Sequence, residues 1–440
     1  MTKPPTPTTN IWGDRLLTIL TILVGISFLA ILVLGNYFDQ PITQALSFDI
    51  EDGQCDPATQ GVGVHCFGDY QDIRKQLELA IIWDGTRNPY PPSGLIANVV
   101  IKPFENLFGI RNSLFIYTAL LFLVVASPAI YSARKDKNRN TLMLRFSFLT
   151  IFAQPIISTL DRGNASGFAV PFLTLYAFKL DRNSNWYATL AVAGAASIRP
   201  QFIVLAIGLL VFGQIKHFFI SIFASISIIL ISFIFWPGNI RTNFAMWFSN
   251  ITSYSSVAKT DVADKYPVNL SMRSAVDHID TLLKNSFSNW LQVNYVAISI
   301  AVLIAIVGTL LACRRTNTKS EVIIVSMSLP CLIPETSFVY YSMFTVVLGS
   351  LILTKSSFFH QTEAEISGTT SKSKDFYQWF IVFAIAISLA PIPFVFEVGR
   401  NSIALEYFGL IWSVVLFWTL ARLIMHNRKI SAHLSNLSLK

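Results

Sequence analysis

Charge and cysteine are what this chain is short of. Only 13% of its 440 residues are Asp, Glu, Lys or Arg, and only four are cysteine. Charge that sparse cannot keep the surface of a soluble protein of this length wet. A Walker loop, a GxGxxG turn, an HExxH pair and a CxxC pair are all missing, so nucleotide hydrolysis and zinc chemistry have no carrier. The net charge is +8, yet no run of five or more basic residues occurs, and the Lys and Arg sit in short loops between apolar segments. The basic balance therefore speaks of topology and not of a nucleic-acid partner. No internal repeat of fixed period is present.

What fills the chain is apolar: 53% hydrophobic residues, 35 of them Phe. Apolar runs lie near 16–34, 113–133, 142–160, 165–178, 187–198, 202–215, 218–236, 291–313, 322–333, 338–354, 376–396 and 407–425. They predict an all-α polytopic membrane protein, a bundle of about 11–13 transmembrane helices joined by long loops on one side. The first run, Leu16 to Leu34, lacks a small-residue cleavage site and is expected to be an uncleaved span. Several runs are shorter than the ~20 residues a crossing needs, and Pro200, Pro330 and Pro334 mark their ends. Half-length helices are tolerated at membrane depth only where protein or a watery cavity covers their loose backbone, so the bundle should enclose a cavity. Gly94 to Phe108 breaks the alternation if it crosses, and is expected to be re-entrant or interfacial.

Arg134 to Arg139, Lys179 with Arg182, Lys216, Arg314 with Arg315, and Asn427 to Lys429 fall on one side when the spans alternate. By the positive-inside rule that side is the cytoplasm, holding both termini of a cell-membrane protein. The outer face then collects six polar loops: Asn36 to Pro92, Leu160 to Asn164, Ile198 to Gln201, Pro237 to Asn289, Pro334 to Ser337, and Glu397 to Glu406. The chain is expected to be one domain over 1–440, with a first outer loop at 36–92, a large outer loop at 237–289 and a cytoplasmic linker at 355–375. Asp161, Arg162, Arg199 and Glu335 abut apolar spans directly, where ionisable groups are costly and usually kept for function. Cys313 and Cys331 are expected to be packing residues; Cys55 and Cys66 share the first loop and could bridge there or remain thiols.

That loop offers Asp39, Asp49, Glu51, Asp52, Asp56, Asp69, Asp72 and Asp84 as possible general bases. Asp69 and Asp72 stand out because Ile73, Leu77, Ala80 and Ile81 follow at helical spacing, which predicts an amphipathic helix on the membrane surface with an acid at its start. Asp69 could equally be no more than that helix's N-cap. Asn88-Pro89-Tyr90-Pro91-Pro92 predicts a stiff extended corner leading back to the bilayer. Asn164, Asn250, Asn269 and Asn436 each open an Asn-x-Ser/Thr triplet.

Taken in order, Gly68-Asp69-Tyr70, Asn88 to Pro92, Arg162-Gly163-Asn164, Ala196 to Pro200 and Val268 to Arg273 resemble glycosyltransferase family 87. The likeness runs from about Phe67 to Tyr407. It implies a membrane glycosyltransferase of the GT-C type, taking a sugar from a polyprenyl phosphate. The family's general base corresponds to Asp69, with Asp72 in reserve. The resemblance also implies donor or acceptor contacts by Tyr90, Arg162, Asn164, Arg199, Asn269, Ser271, Arg273, Glu335, Tyr340 and Tyr341. Many members have His where this chain has Tyr340-Tyr341, so a His-based role in holding phosphate does not carry over.

The implied reaction moves mannose or arabinofuranose to a glycan or glycolipid outside the cytoplasm, with no cofactor and no metal. An acceptor hydroxyl must shed its proton as it attacks, which calls for a carboxylate. The departing lipid phosphate needs fixed cations, and Arg162, Arg199 and Arg273 are on the expected side. The competing reading is a polytopic transporter or lipid flippase, in which broken helices and buried Arg are equally at home.

Overall fold

The computed structural model describes residues 10–37, 67–79, 82–84, 88–134, 139–180, 186–261, 269–282, 288–314, 318–335, 337–354, 358–359, 372–395, 400–402 and 407–438. Most of the first loop, including Asp39, Asp49, Glu51, Asp52, Asp56, Cys55 and Cys66, lies outside them, as do most of the 355–375 linker and Glu397 and Glu406.

The described helices are α1 (Ile11–Tyr37), α2 (Gly68–Gln76), α3 (Ile96–Phe108), α4 (Ile110–Val125), α5 (Ser127–Ala133), α6 (Arg139–Leu149), α7 (Gln154–Arg162), α8 (Val170–Lys179) and α9 (Trp186–Ile198). They continue with α10 (Ala206–Val211), α11 (Ile215–Ile234), α12 (Ile240–Asp261), α13 (Met272–Leu282), α14 (Ser288–Ala312), α15 (Lys319–Leu332), α16 (Phe344–Thr354), α17 (Lys372–Leu389) and α18 (Phe408–Ser438). Short 3-10 turns at Pro92–Leu95, Ala165–Ala169, Pro200–Leu205 and Val339–Met343 lead into α3, α8, α10 and α16. Among the described residues, one antiparallel pair, β1 (Pro393–Val395) with β2 (Arg400–Ser402), accompanies the helices.

Among the described residues, five stretches are long and apolar enough to cross a membrane: Ile11–Val33, Pro92–Val125, Ile215–Ile234, Asn294–Ala312 and Phe408–Met425. Four of them leave most of their surface uncovered by protein, with Val33 67% and Ile304 66% exposed. Apolar faces that bare belong against lipid, and the chain is an all-α polytopic membrane protein. Trp186–Ile198, Pro200–Val211, Tyr340–Thr354 and Phe376–Leu389 are apolar but short. Every residue from Val322 to Leu332 in α15 and from Phe344 to Leu353 in α16 is buried. Helices apolar all round and enclosed on every side form the middle of the bundle, which is what permits their reduced length.

Two further expectations change form. The run expected at 142–160 is two helices, α6 and α7, set at 55° to each other: Pro155 in the first turn of α7 has no N–H to continue the ladder, and the Thr150 hydroxyl turns back to the Phe146 carbonyl at 2.6 Å. Gly94 to Phe108, expected to be re-entrant or interfacial, holds the end of the Pro92–Leu95 turn and α3. It runs through Gly109 into α4 as one apolar stretch of 34 residues, Pro92–Val125, roughly 50 Å at helical rise and longer than a bilayer core. The expected large loop at 237–289 is mostly helix, being occupied by α12 and α13.

The Pro92–Leu95 turn fixes how the first loop meets the bundle. Ser93 Oγ donates to the Ser197 carbonyl at 2.6 Å, and a Cβ on Gly94 would stand 2.5 Å from the Ile198 carbonyl oxygen. Only a residue without a side chain lets this turn seat on the end of α9. Gly94→Ala should cost about 1–3 kcal/mol through overpacking, visible as a lowered thermal midpoint of the detergent-solubilised protein.

Candidate active site

The site begins at the junction of α7 with the 3-10 turn that follows it. Gly163 caps α7 in the left-handed region, φ +62°, with its N–H on the Leu160 carbonyl and that of Asn164 on the Thr159 carbonyl. A Cβ on Gly163 would also lie 2.8 Å from Tyr70 Cβ, so the glycine is what allows α2 to approach. The residues on either side of it then reach the same carboxylate. Arg162 Nη2 donates to Asp69 Oδ1 at 2.8 Å and Nε to Oδ2 at 3.0 Å, while Asn164 Nδ2 donates to Oδ2 at 2.5 Å.

Asp69 is therefore not the N-cap of its helix. That position is Phe67, itself left-handed, with no side-chain cap bond, and Asp69 stands in the first turn with its side chain committed to α7. The helix does not float on a membrane surface either. Ile73 is buried in a cluster with Ile82, Trp83, Tyr90, Phe233 and Trp247, and Arg74 bonds Glu105 of α3 at 2.9 and 3.0 Å. Tyr70, whose hydroxyl donates to Glu105 at 3.2 Å, is pushed up to about 12 by burial and then by that carboxylate.

From Asn164 a polar chain leads inward. Its Oδ1 accepts from the Ser166 N–H at 2.9 Å and from the Tyr90 hydroxyl at 2.8 Å, which fixes the orientation of the amide. Tyr90 also meets Ser166 Oγ at 3.2 Å, and Arg199 Nε donates to that same hydroxyl at 3.0 Å. The Arg199 guanidinium, in a residue only 4% exposed, lies 3.5 Å from the centre of the Tyr90 ring, with Tyr341 and Tyr340 at 5.6 and 5.7 Å. Three ring faces offset much of the desolvation a buried cation suffers. Burial pushes the Tyr90 hydroxyl up, so it stays a donor to Asn164.

The corner 88–92 that carries Tyr90 is clamped from three directions. Trp83 Nε1 donates to the Tyr90 carbonyl at 3.0 Å, Trp247 Nε1 to the Pro89 carbonyl at 3.1 Å, and Asn250 Nδ2 to the Trp83 and Asn88 carbonyls at 3.3 and 3.4 Å. A second clasp holds the loop after α15. Asn269 Nδ2 and Ser271 Oγ both donate to the Glu335 carbonyl, at 2.8 and 3.1 Å, and Asn269 Oδ1 accepts from Ser271 N–H and Ser337 N–H. The Glu335 carboxylate is paired with the Arg273 guanidinium.

Between these two assemblies lies a cavity of about 380 Å³. Arg199, Glu335, Gln201, Tyr295, Ser299 and Tyr341 give it polar wall, and α12 and α14 close it with Ile251, Val296, Ile300 and Leu303. Val296 and Ile300 also belong to the bare, lipid-type face of α14. Asp69 and Asp72 do not line the cavity; the polar chain through Asn164, Tyr90 and Ser166 separates Asp69 from it. Of the three arginines expected to meet phosphate, Arg162 is engaged with Asp69 and Arg273 with Glu335, and Arg199 alone of them lines the cavity. Sequence reasoning passed over Ser166, Gln201, Tyr295, Trp83 and Trp247. Ser166 was within reach, since it completes the triplet Asn164-Ala165-Ser166.

Burial by itself would raise the Asp69 carboxyl. The Arg162 charge and its hydrogen bonds, the Asn164 bond and the Arg199 charge outweigh it, leaving the group below the ordinary Asp value. A folded-state value below the unfolded one stabilises the fold fully above the ordinary Asp range and is lost as pH falls through the lowered value. Asp69→Asn should therefore cost about 3 kcal/mol near neutrality, by stranding Arg162. The gap in melting temperature between wild type and variant should close towards acid pH, read from thermal melts along a pH series.

No curated protein and no solved structure matches the chain. The profile of glycosyltransferase family 87 matches residues 88–334, a stretch that contains Tyr90, Arg162, Asn164, Arg199, Asn269, Ser271 and Arg273 but leaves out Asp69, Asp72, Glu335, Tyr340 and Tyr341. With more than half of its length matched, the chain belongs to glycosyltransferase family 87 and is a membrane glycosyltransferase.

Proposed function

We propose that this glycosyltransferase takes a neutral sugar, mannose or arabinofuranose, from a polyprenyl phosphate and passes it to a glycan or glycolipid hydroxyl, with Asp69 as general base. The observation that carries the reading is an ionised carboxylate held within electrostatic reach of Arg199, which lines the cavity. The Asp69 side chain is 15% exposed, and Arg162 and Asn164 take three of its roughly four lone-pair positions. One position on Oδ1 is left for an acceptor hydroxyl, which meets the donor only when the Asn164–Tyr90–Ser166 layer between Asp69 and the cavity parts. The acceptor oxygen attacks the anomeric carbon as its proton passes to Asp69. The bond from that carbon to the phosphate oxygen breaks on the opposite face, its electron pair leaves with the phosphate, and the configuration inverts. Arg199 is the cation placed to meet the charge that builds there.

Arg162 cuts both ways in this scheme. It keeps Asp69 deprotonated at every working pH and also lowers its basicity, so the proton moves late, once the attacking oxygen has become acidic. The donor's tail fits the apolar wall of α12 and α14, whose far face is of the lipid-contacting type. The positive-inside pattern of the loops supports a cell membrane with both termini in the cytoplasm and the site outside. The transporter reading has no comparable support, since the family is one of transferases.

The test is transfer of labelled sugar from short polyprenyl-phosphate mannose and polyprenyl-phosphate arabinofuranose by purified wild type, Asp69→Asn and Asp72→Asn. Asp69→Asn should lose about 10²- to 10⁴-fold in rate with the fold retained, and Asp72→Asn should stay near wild type. Equal loss in both variants, or none in Asp69→Asn, would remove Asp69 from the role of base.

A further inference from the structure

We infer that Glu335 recognises the sugar of the donor, while Arg199, which lines the same cavity, takes the phosphate; the inference rests on the donor reading above. Among the described residues, Arg199 and Glu335 are the two side chains of the acidic and basic types that line the cavity. Each is set in place by bonds made behind the wall. Arg199 is held by Ser166 and the face of Tyr90, and Glu335 by the Asn269 and Ser271 bonds to its backbone carbonyl and by Arg273 at its carboxylate.

A cavity that offers a cation and a carboxylate suits a ligand that is anionic at one end and rich in hydroxyls at the other. A phosphate beside Glu335 would meet a like charge, whereas sugar hydroxyls donate, and a carboxylate oxygen is their strongest acceptor. The same charge disfavours a sugar that carries its own carboxylate. Glu335 thus selects for neutral sugars with adjacent hydroxyls. Arg273, paired with the Glu335 carboxylate, acts as a positioning residue that keeps it aimed. The placement also explains why the Asn269 and Ser271 clasp is spent on one backbone carbonyl: a carboxylate that reads hydroxyls has to stay where the backbone puts it.

The experiment is binding and not turnover, so the acceptor need not be known. Affinities of purified wild type, Glu335→Gln, Arg199→Gln and the double variant Arg273→Gln/Glu335→Gln are measured for farnesyl phosphate and for farnesyl phosphate carrying mannose, arabinofuranose or glucuronate. Thermal melts run alongside. Wild type should bind at least one neutral-sugar ligand better than bare farnesyl phosphate, and the glucuronate ligand worse than the neutral one. Glu335→Gln should remove that preference, about a ten- to hundredfold change for a lost charge-assisted bond, and relax the exclusion of glucuronate, with bare farnesyl phosphate bound as before. Arg199→Gln should weaken all four ligands together.

Should Glu335→Gln fail to fold with Arg273 stranded, the double variant, which removes both charges, gives the same readout. A preference for the neutral sugar that survives in both Glu335 variants overturns the inference and leaves the donor reading standing. A loss for bare farnesyl phosphate as large as for the sugar ligands overturns it too, because Glu335 would then serve the cavity's shape alone. Failure of wild type to bind any of the four ligands sinks the donor reading itself, and the inference with it.

Discussion

The bonds from Arg162 and Asn164 to Asp69 are the interaction on which the rest of the site depends. They join α2, attached to the bundle also through Tyr70, Ile73 and Arg74, to the end of α7 more than ninety residues later in the chain. The geometry is possible because Gly163 turns the backbone through the left-handed region, so that its two neighbours point at one carboxylate. Any residue with a Cβ there would strain the turn and strike Tyr70. One glycine thus sets both the cap of a helix and the charge state of a carboxylate.

From that point the site is built by relay. The Asn164 amide spends its donor on Asp69 and its acceptor on Ser166 and Tyr90, and these two carry the connection to Arg199. A buried polar network of this kind is stable only when every member is satisfied. Its members come from the α2 helix, the 88–92 corner, the turn after α7 and the end of α9, so satisfying them fixes four pieces of backbone against one another. The bare apolar faces of α1, α11 and α14 contribute nothing to this order; they serve the lipid, and the polar interior serves the chemistry.

Much of this was legible in the chain. Apolar runs separated by basic loops gave the helical membrane class, because lipid leaves few other solutions for backbone polar groups. The order of short motifs brought forward Asp69, Tyr90, Arg162, Asn164 and Arg199, and the structure joins those five in one network. Hydropathy registers apolar length and not whether a helix such as α15 is wrapped in protein. It also read α12 as loop, because a helix whose aromatics grip the 88–92 corner has no continuous apolar run. That Asp69 stands one layer behind the cavity could not be read at all. The separation is made by Tyr90 and Ser166, each nearly buried and each bonded across more than seventy residues to a partner that no local pattern names.

The three Asn-x-Ser/Thr triplets whose side chains are described carry a last consequence. In Asn164-Ala165-Ser166 and Asn269-Leu270-Ser271 the asparagine oxygen takes the backbone N–H two residues on, an Asx turn in each case, and the amide nitrogen is bonded to Asp69 or to the Glu335 carbonyl. Asn250 spends its amide on Trp83 and Asn88. In a host that attaches glycans to this triplet, each acceptor nitrogen is already committed once the chain has folded. A glycan added earlier, on the emerging chain, would occupy the very bonds that assemble the site, so the chain's compatibility with such a host is decided by whether folding or modification comes first.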